Sequence, residues 1–146
     1  MLYSMDIRVA AEDAKFGIQE VKWSLFPAMG SSVKLPRQLP YARAMELLLT
    51  GELMDADEVL RLGFVNRVVP KGRVMQEAER FARIIVDNGP VAVTAIKRSV
   101  IENVGRPLAE GLAREAELAT AVFLSEDAKE GPRAFKEKRK PEFRGK

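Results

Sequence analysis

The chain has 146 residues, of which 47% are hydrophobic, and this length and apolar content are typical of one ordinary domain with its own core. It contains no cysteine and no histidine, which excludes disulfides, thiolate nucleophiles, imidazole bases and any Ser-His-Asp triad. Charged residues make up 31% of the chain and the formal net charge is +3, an excess too small to indicate a nucleic acid partner.

The hydropathy pattern indicates neither a membrane span nor a signal peptide. No stretch approaches the ~18 uninterrupted apolar residues that a spanning helix needs, and residues 1–6 lack a basic region followed by an apolar run. We therefore expect a cytoplasmic protein without a membrane span. Any catalysis by this chain has to use carboxylates, hydroxyls, lysines or backbone dipoles.

The first 40 residues predict short elements separated by turns. Residues 7–11 alternate in a way that favours a short strand, and residues 16–18 predict a turn or a second short strand that leads to Glu20. The segment 27–40 is dense in proline, glycine and serine, so it predicts a loop holding at most one short helix, started by a serine of the pair 31–32.

From residue 41 the pattern becomes helical. Residues 41–50 predict a helix that ends at Gly51, a residue type that adopts the left-handed conformation readily. Asp55 and Glu58 have the spacing of a capping box, in which each side chain accepts a hydrogen bond from the backbone N–H of the other residue. Residues 64–69 then predict a strand.

The second half is predicted to be mostly helical. The expected helices cover residues 73–88, a segment that begins at Pro90, and residues 106–124. Ser125 is a suitable N-cap for a last helix, which Pro132 is expected to kink or restart.

Glu20 is a single carboxylate among apolar neighbours, namely Ile18, Val21 and Trp23. These neighbours are able to provide a poorly solvated setting, and a poorly solvated carboxyl group suits general acid or base catalysis near neutral pH. The residues alone leave a second interpretation open, a surface or capping carboxylate, because most charged side chains in proteins are exposed.

Eight short segments share an order and spacing that carry a family resemblance: DIRVA (6–10), AKFG (14–17), EV (20–21), PAMG (27–30), LPR (35–37), AMELLLTG (44–51), GFVNRVV (63–69) and EDAKEGPRAFKEKR (126–139). Together they resemble the enoyl-CoA hydratase/isomerase, or crotonase, family, and they extend over nearly the whole chain. Gln19, where the family commonly has proline, and Ala28, where it commonly has glycine, depart from the family pattern.

The resemblance implies an α/β fold, crotonase-like, with a spiral core of ββα turns and a predominantly helical C-terminal region that forms trimers or dimers of trimers. It implies that residues 1–70 are the C-terminal part of that core and that residues 71–146 are the helical oligomerisation region. The segments that supply both oxyanion-hole N–H groups, together with a second catalytic carboxylate, are expected before Met1.

The resemblance also implies an activity: a lyase of fatty-acid metabolism that adds water to the 2,3 double bond of acyl-CoA thioesters, with Glu20 as general acid/base. It implies no metal and no cofactor, because coenzyme A is part of the substrate. Two alternatives stay open, an enoyl-CoA isomerase of the same family and a truncated, non-catalytic oligomerisation module.

Five further residues are implied as substrate contacts. Trp23, Phe26 and Ala28 are expected near the acyl group, while Phe135 and Lys138 are expected near the coenzyme A nucleotide of a neighbouring subunit. The residues themselves also allow a core position for Trp23 and Phe26. They allow a solvated helix end for the basic C-terminal segment.

Overall fold

The computed structural model describes residues 2–146, and they form an α/β structure rich in helix. The chain divides into two compact units, of which the first ends at Arg80 and the second spans Phe81–Lys146. Among the described residues no helix has both the length and the apolar character that crossing a membrane requires. The roles predicted for 1–70 and 71–146 stay predictions.

The elements are short in the first unit and long in the second. The strands are β1 (Val9–Ala11), β2 (Lys15–Phe16), β3 (Met54–Asp55) and β4 (Arg67–Val69). The helices are α1 (Ser31–Lys34), α2 (Tyr41–Thr50), α3 (Ala56–Arg61), α4 (Val74–Val86), α5 (Pro90–Glu102), α6 (Leu108–Phe123) and α7 (Glu126–Lys136). Three 3₁₀ helices cover Leu2–Ser4, Glu20–Trp23 and Leu35–Arg37.

Two small sheets organise the first unit. β1 and β4 pair in parallel with Ala10 opposite Val68, and β2 and β3 pair antiparallel with Phe16 opposite Met54. The parallel pair confirms the strand predicted within 7–11. A further contact lies directly before both strands, where the backbone N–H of Arg8 donates to the side-chain oxygen of Asn66 at 2.8 Å.

The strand predicted over 64–69 is wrong in its first half. Phe64 and Val65 are buried in the core instead, and their backbone N–H groups donate to the carbonyl of Val59 at 2.9 and 3.4 Å. These contacts close the end of α3, so only Arg67–Val69 is free to pair as β4. The predicted strand therefore consists of two core residues followed by a shorter strand, and hydropathy alone does not distinguish these two parts.

The core of the first unit collects apolar side chains from the strands β1 and β3, from α2, α3 and the last 3₁₀ helix, and from the segments that connect them. Its buried members are Ala10, Leu35, Leu39, Ala44, Leu47, Leu48, Met54, Val59, Phe64 and Val65. The predicted helix over 41–50 is confirmed, and it contributes three of these residues from one face. This core holds the loops on which the candidate site lies.

The end of α2 and the start of α3 carry the predicted capping residues. Gly51 follows α2 with φ 64°, the left-handed value that its position predicts. The carboxylate of Asp55 accepts from the backbone N–H of Glu58 at 2.8 Å. The reciprocal half of the predicted capping box is absent, because the Glu58 carboxylate pairs with Arg43 on α2.

The second unit is built from helices only. Pro90 stands at the start of α5, and the Ser125 hydroxyl caps α7 by accepting from the backbone N–H of Ala128 at 3.1 Å, so both predicted helix starts are confirmed. Of the two alternatives predicted at Pro132, the restart is wrong, since α7 continues from Glu126 to Lys136 with the proline inside it, and the kink stays a prediction.

The apolar face of α5 and α6 is uncovered in this unit. Ile96 and Val100 are 65% and 66% exposed, and Phe123 is 75% exposed. A groove of about 360 Å³ lies between the two helices, lined by small and apolar side chains that include Ala92, Ala95, Val100, Leu118, Ala119 and Val122. A contiguous apolar surface of this kind is typical of a protein interface.

Candidate functional site

Glu20 begins the 3₁₀ helix Glu20–Trp23. The backbone N–H of Leu25 donates to the Glu20 carbonyl at 3.0 Å, and Ser24 ends the helix with φ 54°. In a 3₁₀ helix the side chains at i and i+3 eclipse one another. Glu20 and Trp23 therefore project from the same side of this short helix.

The end of α2 positions the helix that carries Glu20. The side-chain amide of Gln19 donates to the carbonyl of Gly51 at 3.5 Å. A Cβ atom on Gly51 would lie 3.1 Å from side-chain carbons of Lys22 and 3.2 Å from Val21 Cγ1. Because residue 51 is glycine, the two segments approach more closely than a side chain would allow.

The carboxylate of Glu20 is exposed and has no hydrogen-bond or ion-pair partner anywhere in residues 2–146. The poorly solvated setting that its sequence neighbours suggest is not formed within this chain, because Trp23 is 77% exposed. Removal of water around Glu20 would have to come from groups outside the described residues.

The loop after Glu20 presents apolar side chains to solvent. Phe26 is 76% exposed, and Ala28 is exposed as well. The alternative core positions of Trp23 and Phe26 are therefore wrong. Met29, which the sequence did not point to, is 87% exposed, more than Phe26, and has φ 60°. Its signal in the sequence is a large apolar residue directly before Gly30.

Buried contacts hold the base of this loop. Pro27 and Ser31 are buried, and the Ser31 hydroxyl lies 2.9 Å from the hydroxyl of Tyr3. The Ser31 hydroxyl also donates to the carbonyl of Ala28 at 3.2 Å. The short helix predicted here begins at Ser31, but its N-cap is Gly30 with φ 91°. The buried Ser31 side chain thus links the loop to Tyr3 and to the carbonyl of Ala28.

Phe135 and Lys138 lie together at the C-terminal end of α7. Phe135 is 87% exposed, and Lys138 is exposed with φ 55°. The backbone N–H of Arg139 donates to the carbonyl of Ala134 at 3.0 Å, and that of Lys138 donates to Phe135 at 3.2 Å. This pair of bonds is a Schellman motif, with Lys138 at the left-handed position that is usually glycine.

A buried carboxylate that no sequence motif indicated, Glu130, lies next to this turn. Glu130 accepts from Arg133, from Arg139 and from the backbone N–H of Glu142. The Arg139 guanidinium, followed by the Glu142 N–H, holds the pKa of Glu130 well below its ordinary value. The same contact raises the pKa of Arg139. The only signal in the sequence is an acid surrounded by bases in a helix end.

The structure thus places the predicted residues in two groups. Glu20, Trp23, Phe26 and Ala28 follow one another along one exposed segment of the first unit, and Phe135 and Lys138 share one turn of the second unit. No cluster of three or more possible metal-ligating side chains occurs in the part of the chain that the structure describes. The assignments of these six residues stay predictions.

The chain is similar to known proteins along its whole length. The enoyl-CoA hydratase/isomerase family model matches residues 1–146. Enoyl-CoA hydratase EchA19 of Mycobacterium tuberculosis is 50% identical over 143 residues, which are 98% of this chain and 54% of the relative. The carnitinyl-CoA dehydratase of Citrobacter koseri is 40% identical over 96% of this chain and 55% of the relative. The chain therefore spans about half the length of these curated relatives.

Solved structures share its fold. A putative enoyl-CoA hydratase/isomerase from Mycobacterium abscessus superposes with a TM-score of 0.96 at 44% identity, covering 99% of this chain and 60% of that chain. An enoyl-CoA hydratase from M. tuberculosis gives a TM-score of 0.95 at 41% identity, covering 99% of this chain and 57% of that chain. By motifs, family match and fold, this chain belongs to the enoyl-CoA hydratase/isomerase (crotonase) family.

Proposed function

We propose that this chain is part of an enoyl-CoA hydratase of fatty-acid metabolism, in which Glu20 is the general acid/base for adding water to the 2,3 double bond of an acyl-CoA thioester. The observation that carries the proposal is the 3₁₀ helix Glu20–Trp23, which sets an unpaired carboxylate and an exposed aromatic ring on one side. Relatives named as enoyl-CoA hydratases support the reaction class.

The chemistry needs a proton and a stabilised oxyanion. The oxygen of water bonds to C3 of the enoyl group, and a proton arrives at C2, so one water molecule is consumed for each double bond. Glu20 exchanges the proton with the acyl chain and, with a second carboxylate, holds the water. Hydrogen-bond donors stabilise the negative charge that develops on the thioester oxygen. We expect those donors in the portion of the family domain that this chain does not match.

Substrate contacts divide between the two units. Trp23, Phe26 and Ala28 would contact the acyl group through the exposed apolar loop that follows Glu20. Phe135 and Lys138 would contact the coenzyme A bound to a neighbouring subunit, since the lysine ammonium forms charge-assisted hydrogen bonds with phosphate oxygens. No further cofactor is needed for this reaction, because coenzyme A belongs to the substrate.

Assembly into a homotrimer, or a dimer of trimers, would use the uncovered face of α5 and α6. The support is the apolar groove between these helices and the high exposure of Ile96, Val100 and Phe123. Burial of such a surface on association is favourable by roughly 25 cal/mol per Å².

Two other functions are favoured by particular observations. An enoyl-CoA isomerase of the same family would use the unpaired Glu20 carboxylate to carry a proton between two carbons, and the matching family description names both activities. A non-catalytic oligomerisation module would use the α5–α6 groove and would not use Glu20, in agreement with the exposed, unpaired carboxylate of that residue.

Fusion to the portion of EchA19 that this chain does not match provides the test. Hydration of crotonyl-CoA is followed by the loss of absorbance of its conjugated double bond. We expect Glu20→Gln to lower kcat by about 10²- to 10⁴-fold, the range for loss of a general acid or base. Glu52→Gln is the matched control, because Glu52 is another exposed carboxylate of the first unit.

The outcomes separate the three functions. An equal kcat for the Glu20→Gln and Glu52→Gln fusions would contradict the role of Glu20. Conversion of a 3-enoyl-CoA to the 2-enoyl-CoA without hydration would identify the isomerase. A fusion that forms trimers by light scattering but turns over neither substrate would identify the oligomerisation module.

A further inference from the structure

Lys138 occupies an unfavourable backbone position. It is the left-handed residue of the Schellman motif that ends α7, with φ 55°. Glycine is usual there, because a Cβ atom crowds the following carbonyl. A lysine is retained at this position only if its surroundings hold the turn in place.

Glu130 supplies the restraint on the C-terminal side of that turn. Its side chain is buried, at 7% exposure. One carboxylate oxygen accepts from Arg139 Nη2 at 3.0 Å and from Arg133 Nε at 3.0 Å, and the other accepts from the backbone N–H of Glu142 at 3.1 Å. Arg139 directly follows Lys138, so this network fixes the peptide that leaves the turn.

Asp127 restrains the same segment at a second point. It is buried one turn before Glu130 on α7, and its two oxygens accept from the backbone N–H groups of Arg144 and Gly145 at 2.7 and 2.8 Å. Residues 139–145 are thereby held against α7 at both ends. Opening of the turn at Lys138 by movement of Arg139 would break the contact of Arg139 with Glu130.

The Lys138 side chain itself is left free by this arrangement. Within residues 2–146 its ammonium group takes part in no hydrogen bond or ion pair, and the residue is exposed. A lysine ammonium offers three donors and a compact positive charge, which suit a phosphate group. Its stem leaves the backbone in a direction that the turn determines.

We propose that Glu130 is a positioning residue for coenzyme A binding: through Arg139 it fixes the left-handed turn and so directs Lys138 toward a phosphate of coenzyme A. This inference rests on the proposed function, since it names the ligand of that site. Glu130 does not touch the ligand in this arrangement, because Arg133, Arg139 and Glu142 occupy its carboxylate.

The test is calorimetric titration of the EchA19 fusion with coenzyme A. We expect Lys138→Ala to weaken binding about tenfold, the usual loss for one hydrogen bond to a charged group. Glu130→Gln should weaken binding by a factor of about five to ten. The double variant should bind no more weakly than Lys138→Ala alone, because Glu130 acts through Lys138. Glu126→Gln, an exposed carboxylate of the same helix, is the matched control.

Amide hydrogen exchange gives an independent measure of the turn. The N–H of Glu142 should exchange faster in Glu130→Gln than in the wild type. If Glu130→Gln loses its helical circular dichroism, Arg139→Gln breaks the same pair from the other side and leaves Glu130 bonded to Arg133 and Glu142.

Three results would overturn the inference. Wild-type affinity for coenzyme A in Glu130→Gln would overturn the inference and leave the proposed function standing. Additive losses of affinity in the double variant would do the same, because they indicate a general structural role for Glu130. A wild-type EchA19 fusion that does not bind coenzyme A would overturn the proposed function first and this inference with it.

Discussion

Replacement of Gly51 by alanine should destabilise the chain more than the same replacement at Gly63. Both glycines follow a helix and have left-handed φ angles, 64° at Gly51 and 72° at Gly63. They differ in their surroundings. A Cβ at Gly51 would lie 3.1 Å from Lys22 and 3.2 Å from Val21, while a Cβ at Gly63 would have no heavy atom within 4 Å.

The backbone cost is common to both sites. An L-residue in the left-handed region costs about 1–2 kcal/mol, and alanine regains roughly 0.5 kcal/mol by restricting the unfolded chain. We therefore expect Gly63→Ala to lower the free energy of unfolding by about 1 kcal/mol. Crowding at Gly51 adds about 1 kcal/mol, at the low end of overpacking because the Lys22 side chain can move. The expected loss at Gly51 is thus about 2 kcal/mol.

Urea unfolding of both variants checks these values, with the slope of the transition expected to stay unchanged. In the EchA19 fusion, Gly51→Ala should also lower crotonyl-CoA hydration, because it displaces the helix that carries Glu20, and Gly63→Ala should not. Equal losses of stability at the two glycines, or a larger loss at Gly63, would refute the argument that close approach to Val21 and Lys22 requires glycine at position 51.

Lys138→Gly should raise the free energy of unfolding by about 0.5–1 kcal/mol, because glycine removes the left-handed strain. The same variant should weaken coenzyme A binding as Lys138→Ala does. Lower stability of Lys138→Gly in urea would contradict this account of the turn. The lowered pKa of Glu130 means that its stabilising contribution is complete above its ordinary value of 4.5 and is lost as the pH falls toward the folded pKa. Glu130→Gln should therefore be less stable than the wild type at pH 7, with the gap in melting temperature closing below about pH 4.5, and a gap that stays constant on acidification would exclude this linkage.

Features governed by neighbours in sequence were predictable. The helix over 41–50 with Gly51 at its end, the cap at Asp55 and the cap at Ser125 are all confirmed. Each depends on residues within about one helical turn, where backbone geometry limits the choices. Motif order and spacing likewise identified the family, although they did not reveal the solvent exposure of Glu20.

Burial and pairing over longer separations were not predictable. Trp23 and Phe26 are residue types that are common in protein cores, but they are 77% and 76% exposed, while their neighbours Pro27 and Ser31 are buried. In the sequence, Glu130 is one of many charged residues in a basic segment, and this pattern does not indicate burial. It is buried because Arg139 and the Glu142 N–H, 9 and 12 residues away, fold back onto it.

Sequence alone was thus sufficient for the family, the helix boundaries and the position of Glu20 along the chain, because these follow from local conformational preference and motif spacing. Three-dimensional packing determined which distant groups meet: the side-chain amide of Gln19 with the carbonyl of Gly51 next to the candidate acid, and the Glu130 carboxylate with the Arg139 guanidinium next to Lys138. These contacts form because segments that are distant in sequence provide hydrogen-bond partners for each other's polar groups in the folded chain. The periodicity of a sequence does not show which distant segments come together.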